Sequence, residues 1–283
     1  MLSQRPHRSD TGLGRWVLPG DLRRWLPWPE NGLSRQDLPR LALAFLYGAT
    51  CHLLFAAGVL AMIWALWNGM SATWGTLAGP WAVVGNALLL IQFPVAHSLL
   101  LTPRGRRVLE RLAPGGHGKT LATTTYAAIA SAQLLLLFTL WTPSGIVWWQ
   151  AEGATLWVVN ALFALSWLLL MKASFDAGPE VQSGYLGWSS LARGARPVFP
   201  DMPTGGLFRL VRQPIYVSFA LTLWAVPVWT PDQLALAVAY TAYCVVAPMH
   251  KERRFEQIFG DRFIAYRARV PYWLPRLGRL RGG

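Results

Sequence analysis

The chain has 283 residues, of which 53% are hydrophobic and only 14% charged, and it contains 16 tryptophans. This composition excludes an ordinary soluble globular protein. The formal net charge of +13 is compatible with nucleic-acid binding. However, the basic residues are confined to segments between apolar runs, so the pattern predicts a membrane protein and no nucleic-acid partner.

The first 40 residues are basic and rich in turn-forming residues, with seven arginines, five prolines and three tryptophans. They lack the apolar core of a signal peptide, so we expect the first helix to insert uncleaved. Repeated prolines exclude one long helix. This composition predicts a segment that lies on the bilayer surface, with its tryptophans at the level of the lipid headgroups.

Six apolar runs predict transmembrane helices, at about 41–67, 77–101, 121–141, 156–175, 215–229 and 234–249. The first four exceed the length that a bilayer requires. The last two contain only about 15 residues each, so they require local thinning or packing against longer neighbours. All lysines and arginines fall in 1–40, 102–120, 171–213 and 250–283. By the positive-inside rule, both termini are cytoplasmic. The predicted fold is an all-α polytopic membrane protein with a C-terminal amphipathic helix on its cytoplasmic face.

Two histidines lie inside the predicted helices. At 1.5 Å per residue, His52 would lie about 18 Å and His97 about 7 Å from the cytoplasmic ends, which argues against one haem bound by both. Ionisable residues inside a membrane are candidates for function, so His97 is predicted to line the acceptor side of a site. The alternative is a hydrogen bond between packed helices. Because Cys51 and Cys244 lie in apolar runs without a CxxC pattern, no metal site is predicted.

Two loop segments need separate interpretation. Residues 113–120 (APGGHGKT) fit a permissive phosphate-loop pattern, but that motif requires a preceding strand in a soluble α/β sheet. A flexible glycine turn is the better interpretation, with Lys119 as a membrane-edge anchor and Thr120 as a helix cap. The polar stretch 172–213 is long for a connection, which favours a lid or a pocket wall.

The most informative stretch is the last one. Residues 205–216 read GGLFRLVRQPIY, and residues 250–275 read HKERRFEQIFGDRFIAYRARVPYWLP. An apolar hairpin separates them, turning at Pro227, Thr230 and Pro231. If the hairpin closes, Arg212 and Glu252 meet at the same membrane face.

These segments resemble the isoprenylcysteine carboxyl methyltransferase-like membrane methyltransferases, which carry G-L-Y-x-x-x-R-H-P-x-Y, a hairpin, E-E-x-x-L, F-G-x-x-Y-x-x-Y and V-P-x-x-x-P. The upstream QFPVAHSLL is most similar to the branch of NnrU-like proteins and methanethiol S-methyltransferases. Two positions depart from the motif: Gln213 replaces a histidine, and Lys251 replaces the first glutamate. Matching residues are Gly206, Leu207, Phe208, Arg212, Pro214, Tyr216, Glu252, Phe255, Phe259, Gly260, Tyr266, Val270, Pro271 and Pro275.

The resemblance implies S-adenosylmethionine as cofactor. Arg212 is expected to clamp its carboxylate, and Glu252 is expected to pair with its ammonium or its ribose. The implied catalytic residues are His97, Arg212 and Glu252. The implied cofactor-binding residues are Gly205, Gly206, Leu207, Arg212, Gln213, Pro214, Tyr216, Glu252 and Tyr266.

The resemblance favours a small thiol as the methyl acceptor, with an isoprenylcysteine or a lipid as the next choice. A thiol reacts as its thiolate, and either His97 or His250 could take the proton. The competing hypothesis is a non-enzymatic NnrU-like accessory protein. Lys251 would then mark lost activity, whereas in an enzyme it would orient Glu252.

Three regions follow from these predictions. Residues 1–40 form an interfacial segment, 41–175 a scaffold of four transmembrane helices, and 176–283 the cofactor loop, the hairpin and the basic helix. Membrane lipids are the expected surroundings, and the sequence specifies no oligomeric state.

Overall fold

A computed structural model of the chain describes residues 35–275, and these are mostly helical. Short 3-10 helices cover Arg35–Asp37 and Gly206–Arg209. Two short strands, β1 (Trp149–Gln150) and β2 (Val228–Trp229), pair antiparallel. The α-helices are α1 (Leu38–Trp67), α2 (Pro80–Leu100), α3 (Pro103–Leu112), α4 (Gly118–Leu140), α5 (Gly153–Asp176), α6 (Pro179–Gln182), α7 (Tyr185–Arg193), α8 (Pro214–Trp224), α9 (Pro231–Phe259) and α10 (Asp261–Arg269).

Five of these helices, α1, α2, α4, α5 and α9, are long and apolar enough to cross a membrane. The all-α polytopic membrane fold is therefore confirmed. The first four agree with the predicted runs to within three residues at each end. Most of the predicted interfacial segment lies outside the described residues. The helix α1 begins at Leu38 with Pro39 in its first turn, where proline is tolerated.

The final hairpin differs from the prediction in both arms. The run 215–229 yields only the 11-residue helix α8, because the following residues Val228 and Trp229 pair with β1. The run 234–249 belongs to the 29-residue helix α9, which continues through Pro248 and the basic stretch to Phe259. The basic amphipathic stretch predicted after residue 250 is helical, and it is divided between the end of α9 and the helix α10. The break falls at Gly260, whose φ of +51° favours glycine, and α10 follows it.

The main core lies where α1, α4, α8 and α9 meet, around Leu66, Phe138, Leu223 and Tyr240. At the hairpin turn, the buried carboxylate of Asp232 accepts hydrogen bonds from the Trp141 indole (3.0 Å) and from the backbone and hydroxyl of Ser144 (2.9 and 2.6 Å). Thr230 caps α9 by accepting from the Gln233 amide at 2.9 Å. The predicted turn at Pro227, Thr230 and Pro231 is thus present and joined to the rest of the protein.

The polar stretch 172–213, predicted to form a lid or a pocket wall, is partly helical and packed against the transmembrane helices. It contains α6 and α7, and α7 is buried against α1 and α4. The Trp188 amide donates to the hydroxyl of Thr124 at 2.9 Å, and its indole donates to Nε2 of His52 at 3.0 Å. The glycine turn at 115–116 is also present, but α4 begins at Gly118, so Thr120 lies inside the helix instead of capping it.

Candidate active site

The closed hairpin brings together Arg212, which lies just before α8, and Glu252 near the end of α9. Nε of Arg212 lies 2.8 Å from Oε1 of Glu252, and Nη2 lies 3.2 Å from Oε2. Both side chains are nearly buried, with 11% and 12% exposed. The pairing expected from the sequence is therefore present as a two-pronged ion pair.

Arg212 also ties the hairpin to the segment after α10. Its Nη1 donates to the carbonyl oxygens of Val270 (2.6 Å) and Arg267 (3.2 Å), and its backbone amide donates to that of Pro271 at 2.9 Å. A guanidinium has five N–H donors, and these contacts with Glu252 and the carbonyls engage most of them. The fork therefore faces Glu252 and the chain itself, which differs from the expected clamp on a cofactor carboxylate.

Gln213 is almost fully buried, with 2% of the residue exposed. Its Nε2 donates to Oε1 of Glu252 at 2.7 Å, so that carboxylate accepts from both Arg212 and Gln213. Its Oε1 has no hydrogen-bond partner among the described residues. A buried acceptor without a partner is costly, and a donor group on a ligand would satisfy it.

A narrow cavity adjoins these groups, with a volume of about 10 Å³, the space of about one water molecule. This is far below the range of about 300–1,000 Å³ typical of small-molecule pockets, so side chains must move before a nucleoside-sized ligand can enter. The Tyr266 hydroxyl closes one side by donating to the carbonyl of Phe208 at 2.7 Å. Burial raises the pKa of Tyr266, so this hydroxyl stays protonated. The lining residues are Pro203, Phe208, Arg212, Gln213, Lys251, Glu252, Phe255, Phe263 and Tyr266.

Lys251 is a lining residue that was not predicted to belong to the site. Its Nζ lies over three aromatic rings, 5.7 Å from the centroid of Phe208, 5.9 Å from that of Tyr216 and 5.2 Å from that of Phe255. Cation–π attraction holds an ammonium in such a place. Its departure from the family motif was the signal in the sequence that could have identified it.

The predicted glycine segment makes a different contact. The Leu207 amide donates to the carboxylate of Asp176 at 2.8 Å. Gly206 has a φ of +54°, and a Cβ atom placed on it would lie 2.1 Å from Asp176 Oδ2. These residues do not line the cavity, so the close backbone approach expected at Gly205, Gly206 and Leu207 is directed to Asp176. No feature of the sequence pointed to Asp176 as their partner.

The remaining predicted residues lie beside the cavity or away from it. Pro214 begins α8, and the ring of Tyr216 faces Lys251. His97 does not line the cavity: its Nε2 lies 2.6 Å from the Tyr126 hydroxyl, and its ring packs on Phe93. That contact matches the helix-packing alternative. Within residues 35–275, no group of three or more metal-ligating side chains lies close enough to hold a metal ion.

The fold and the site define a polytopic helical membrane protein with a polar cavity between its last hairpin and its C-terminal segment. The chain is 31% identical over 239 residues to methanethiol S-methyltransferase 1 of Bradyrhizobium diazoefficiens, covering 82% of both proteins. It is 32% identical over 199 residues to the methanethiol S-methyltransferase of Mycobacterium tuberculosis, covering 69% of this chain and 78% of that protein.

The chain therefore belongs to the methanethiol S-methyltransferase family, which confirms the resemblance drawn from its motifs. It is also 31% identical over 169 residues to Nurim of Rattus norvegicus, covering 56% of this chain and 62% of that protein. No protein-family model matches the chain. No solved structure matches it.

Proposed function

We propose that this protein transfers a methyl group from S-adenosylmethionine to a small thiol such as methanethiol. The observation that carries the proposal is the similarity to proteins named methanethiol S-methyltransferases over most of the chain. The cavity described above supports it, because it places buried polar and aromatic groups next to one another at the end of the hairpin.

The side chains that line the cavity fit the chemistry of this cofactor. Oε1 of Gln213 and the oxygens of Glu252 are acceptors for an ammonium or for ribose hydroxyls. The rings of Phe208 and Phe255 in the lining, and that of Tyr216 beside it, provide faces for an adenine or a cation. When bound, S-adenosylmethionine supplies an electrophilic methyl group. The protein's contribution is to hold the two reactants in line and to exclude water.

A small thiol is apolar enough to arrive from the lipid, and His97 is the proposed residue on the acceptor side. It lies between α2 and α4 with Tyr126. Arg254 interacts electrostatically with both His97 and Tyr126, so the pair belongs to the charged end of α9. The proximity of Arg254 to this pair supports the proposed role of His97.

The experiment measures methyl transfer and cofactor binding on the full chain purified in detergent. Labelled S-adenosylmethionine with methanethiol should give labelled dimethyl sulfide, and calorimetry should detect cofactor binding. The Arg212→Ala/Glu252→Ala variant should lose both. The matched control is Asp201→Ala/Arg262→Ala, which removes an ion pair whose two side chains are 63% and 64% exposed.

The alternatives predict different results. A protein that binds no S-adenosylmethionine and forms no product would favour the NnrU-like accessory function. Methylation of an isoprenylcysteine or a lipid in place of the thiol would support the assignment as a methyltransferase but contradict the assignment of a thiol as the methyl acceptor. The relatives named as methyltransferases favour the thiol enzyme.

The distribution of charge supports a location for the protein. We propose the cytoplasmic (inner) membrane with both termini in the cytoplasm, since the lysines and arginines fall on one side of the predicted spans. The division into 1–40, 41–175 and 176–283 is proposed on the same basis. The cavity residues all lie in the last region.

A further inference from the structure

The charges around the cavity are balanced in pairs, with one exception. Arg212 and Glu252 neutralise each other at hydrogen-bond distance. Lys251 is the neighbouring residue on α9, yet Glu252 is already bonded to Arg212 and Gln213. Among the described residues, the structure gives the Lys251 ammonium aromatic faces but no hydrogen-bond acceptor. An ammonium has three donors, so this group is ready to bind an anion.

The cavity also has a hydrogen-bond acceptor without a partner. Oε1 of Gln213 is buried and has no partner among the described residues, although the rest of that side chain is held by Glu252. The same cavity is therefore lined by a cation and a neutral acceptor, both available, together with an occupied ion pair. An α-amino acid headgroup has the complementary chemistry: a carboxylate for the cation and an ammonium for the acceptor.

We infer that Lys251 binds the carboxylate of the methyl donor's amino-acid headgroup, while Gln213 Oε1 and Glu252 accept from its ammonium. This inference rests on the proposed function. It reassigns the expected clamp from Arg212, which positions Glu252, to a residue one position before that glutamate on α9.

The same inference explains both departures from the family motif. The motif has a histidine at the position of Gln213 and a glutamate at the position of Lys251, and both positions line the cavity. A histidine can carry positive charge near neutral pH. In this chain the cation is at position 251 (Lys251) and no longer at position 213. The hydrogen-bond acceptor is the neutral amide of Gln213 in place of the glutamate of the motif. The two changes are therefore one exchange that keeps a cation and an acceptor in the cavity.

The test is calorimetric titration of the full chain with two ligands, S-adenosylmethionine and its decarboxylated analogue. Lys251→Met keeps the length of the side chain and removes the charge, so it should weaken binding of S-adenosylmethionine by about 10- to 100-fold. It should leave the affinity for the analogue within about threefold. Lys251→Arg should retain most of the affinity. Lys119→Met, which removes the same charge from the exposed start of α4, should change neither.

A second pair of variants tests the exchange. Lys251→Glu should lose S-adenosylmethionine binding, and adding Gln213→His should recover at least tenfold of that loss. Equal weakening of both ligands by Lys251→Met, or no weakening, would overturn the inference while leaving the proposed function intact. A wild-type chain that binds neither ligand would overturn the proposed function itself. Elution volume and circular dichroism of each variant separate lost binding from lost folding.

Discussion

Glu252 is the residue on which the cavity depends. It accepts from Arg212 and Gln213, and through Arg212 it is linked to the carbonyl oxygens of Val270 and Arg267. A buried ion pair adds little net stability, but removing one partner leaves the other charge without compensation. The pair therefore specifies the arrangement of the hairpin and the C-terminal segment more than it stabilises the fold.

Replacing the carboxylate alone should reveal this dependence. Glu252→Gln keeps the shape and leaves the Arg212 guanidinium buried without its counter-charge, so we expect unfolding to become easier by about 3–5 kcal/mol. The measurement is unfolding in increasing sodium dodecyl sulfate, followed by circular dichroism. The control is Glu256→Gln on the same helix, whose ion pair with Arg267 is 40% exposed on both sides; it should cost less than about 1 kcal/mol. Equal losses in the two variants would contradict the role given to Glu252.

Position 213 should tolerate the histidine of the family motif. Its amide donates to Glu252, and a histidine ring nitrogen can donate in the same way. Gln213→His should therefore keep S-adenosylmethionine affinity within tenfold of wild type by calorimetry. Gln213→Leu, which fills similar space without a donor or an acceptor, should bind more weakly than either. A larger loss in the histidine variant would mean that the neutral amide itself is required.

At the scale of elements, the short helix α8 is preceded by a turn that only glycine allows. Gly206 combines a positive φ with the closeness of Asp176, whereas Gly205 has a φ of −93° and open space where a side chain would be. The structure thus requires glycine at position 206 but not at position 205, a difference that the sequence alone does not show.

A matched pair of substitutions separates the two glycines. Gly206→Ala should destabilise the protein by more than about 1 kcal/mol, from backbone strain at positive φ together with the clash with Asp176. Gly205→Ala should leave stability within about 0.5 kcal/mol. Thermal unfolding of both variants in detergent measures the difference. If Gly205→Ala weakens S-adenosylmethionine binding at unchanged stability, the ligand approaches that backbone.

How far the sequence predicts the structure also differs between elements. Long apolar runs specify α1, α2, α4 and α5 to within three residues at each end, because length and hydropathy decide membrane helices. The hairpin was harder: the end of α8 depends on strand pairing between Trp149 and Trp229, which are 80 positions apart. The Arg212–Glu252 pair was predictable from the motif. The sequence did not predict that most N–H donors of Arg212 would bond to Val270, Arg267 and Glu252, since these contacts depend on the fold of α10.

At the scale of the whole molecule, two of the long helices bury little of their surface within the protein. The membrane-length windows of α2 and α5 are only 6% and 11% buried, compared with 44% for α4. Their exposed residues are large and apolar, including Trp81, Leu88, Trp157 and Leu168. Such faces are costly in water and favourable in lipid, so α4 is the central helix and α2 and α5 face the bilayer.

The orientation of the chain can be tested directly. A fluorescent reporter fused after Gly283 should be active, because the positive-inside rule places that end in the cytoplasm. A cysteine introduced at Ser144, in the loop before β1, should react with a membrane-impermeant thiol reagent added outside spheroplasts. One introduced at Arg104, in α3, should react only after the membrane is permeabilised. The reverse pattern would contradict the proposed topology.

The contacts of Arg212 with Val270 and Pro271 also have a practical consequence for handling this protein. The carbonyl oxygens at those positions hold Arg212 against Glu252, so Val270 and Pro271 belong to the proposed binding site. A shortened protein that stops before Pro271 would retain all five long helices and would still insert, but it would no longer hold the guanidinium in place. Affinity tags therefore belong beyond Pro275, and a truncated version that is inactive would say nothing about whether the intact chain is an enzyme.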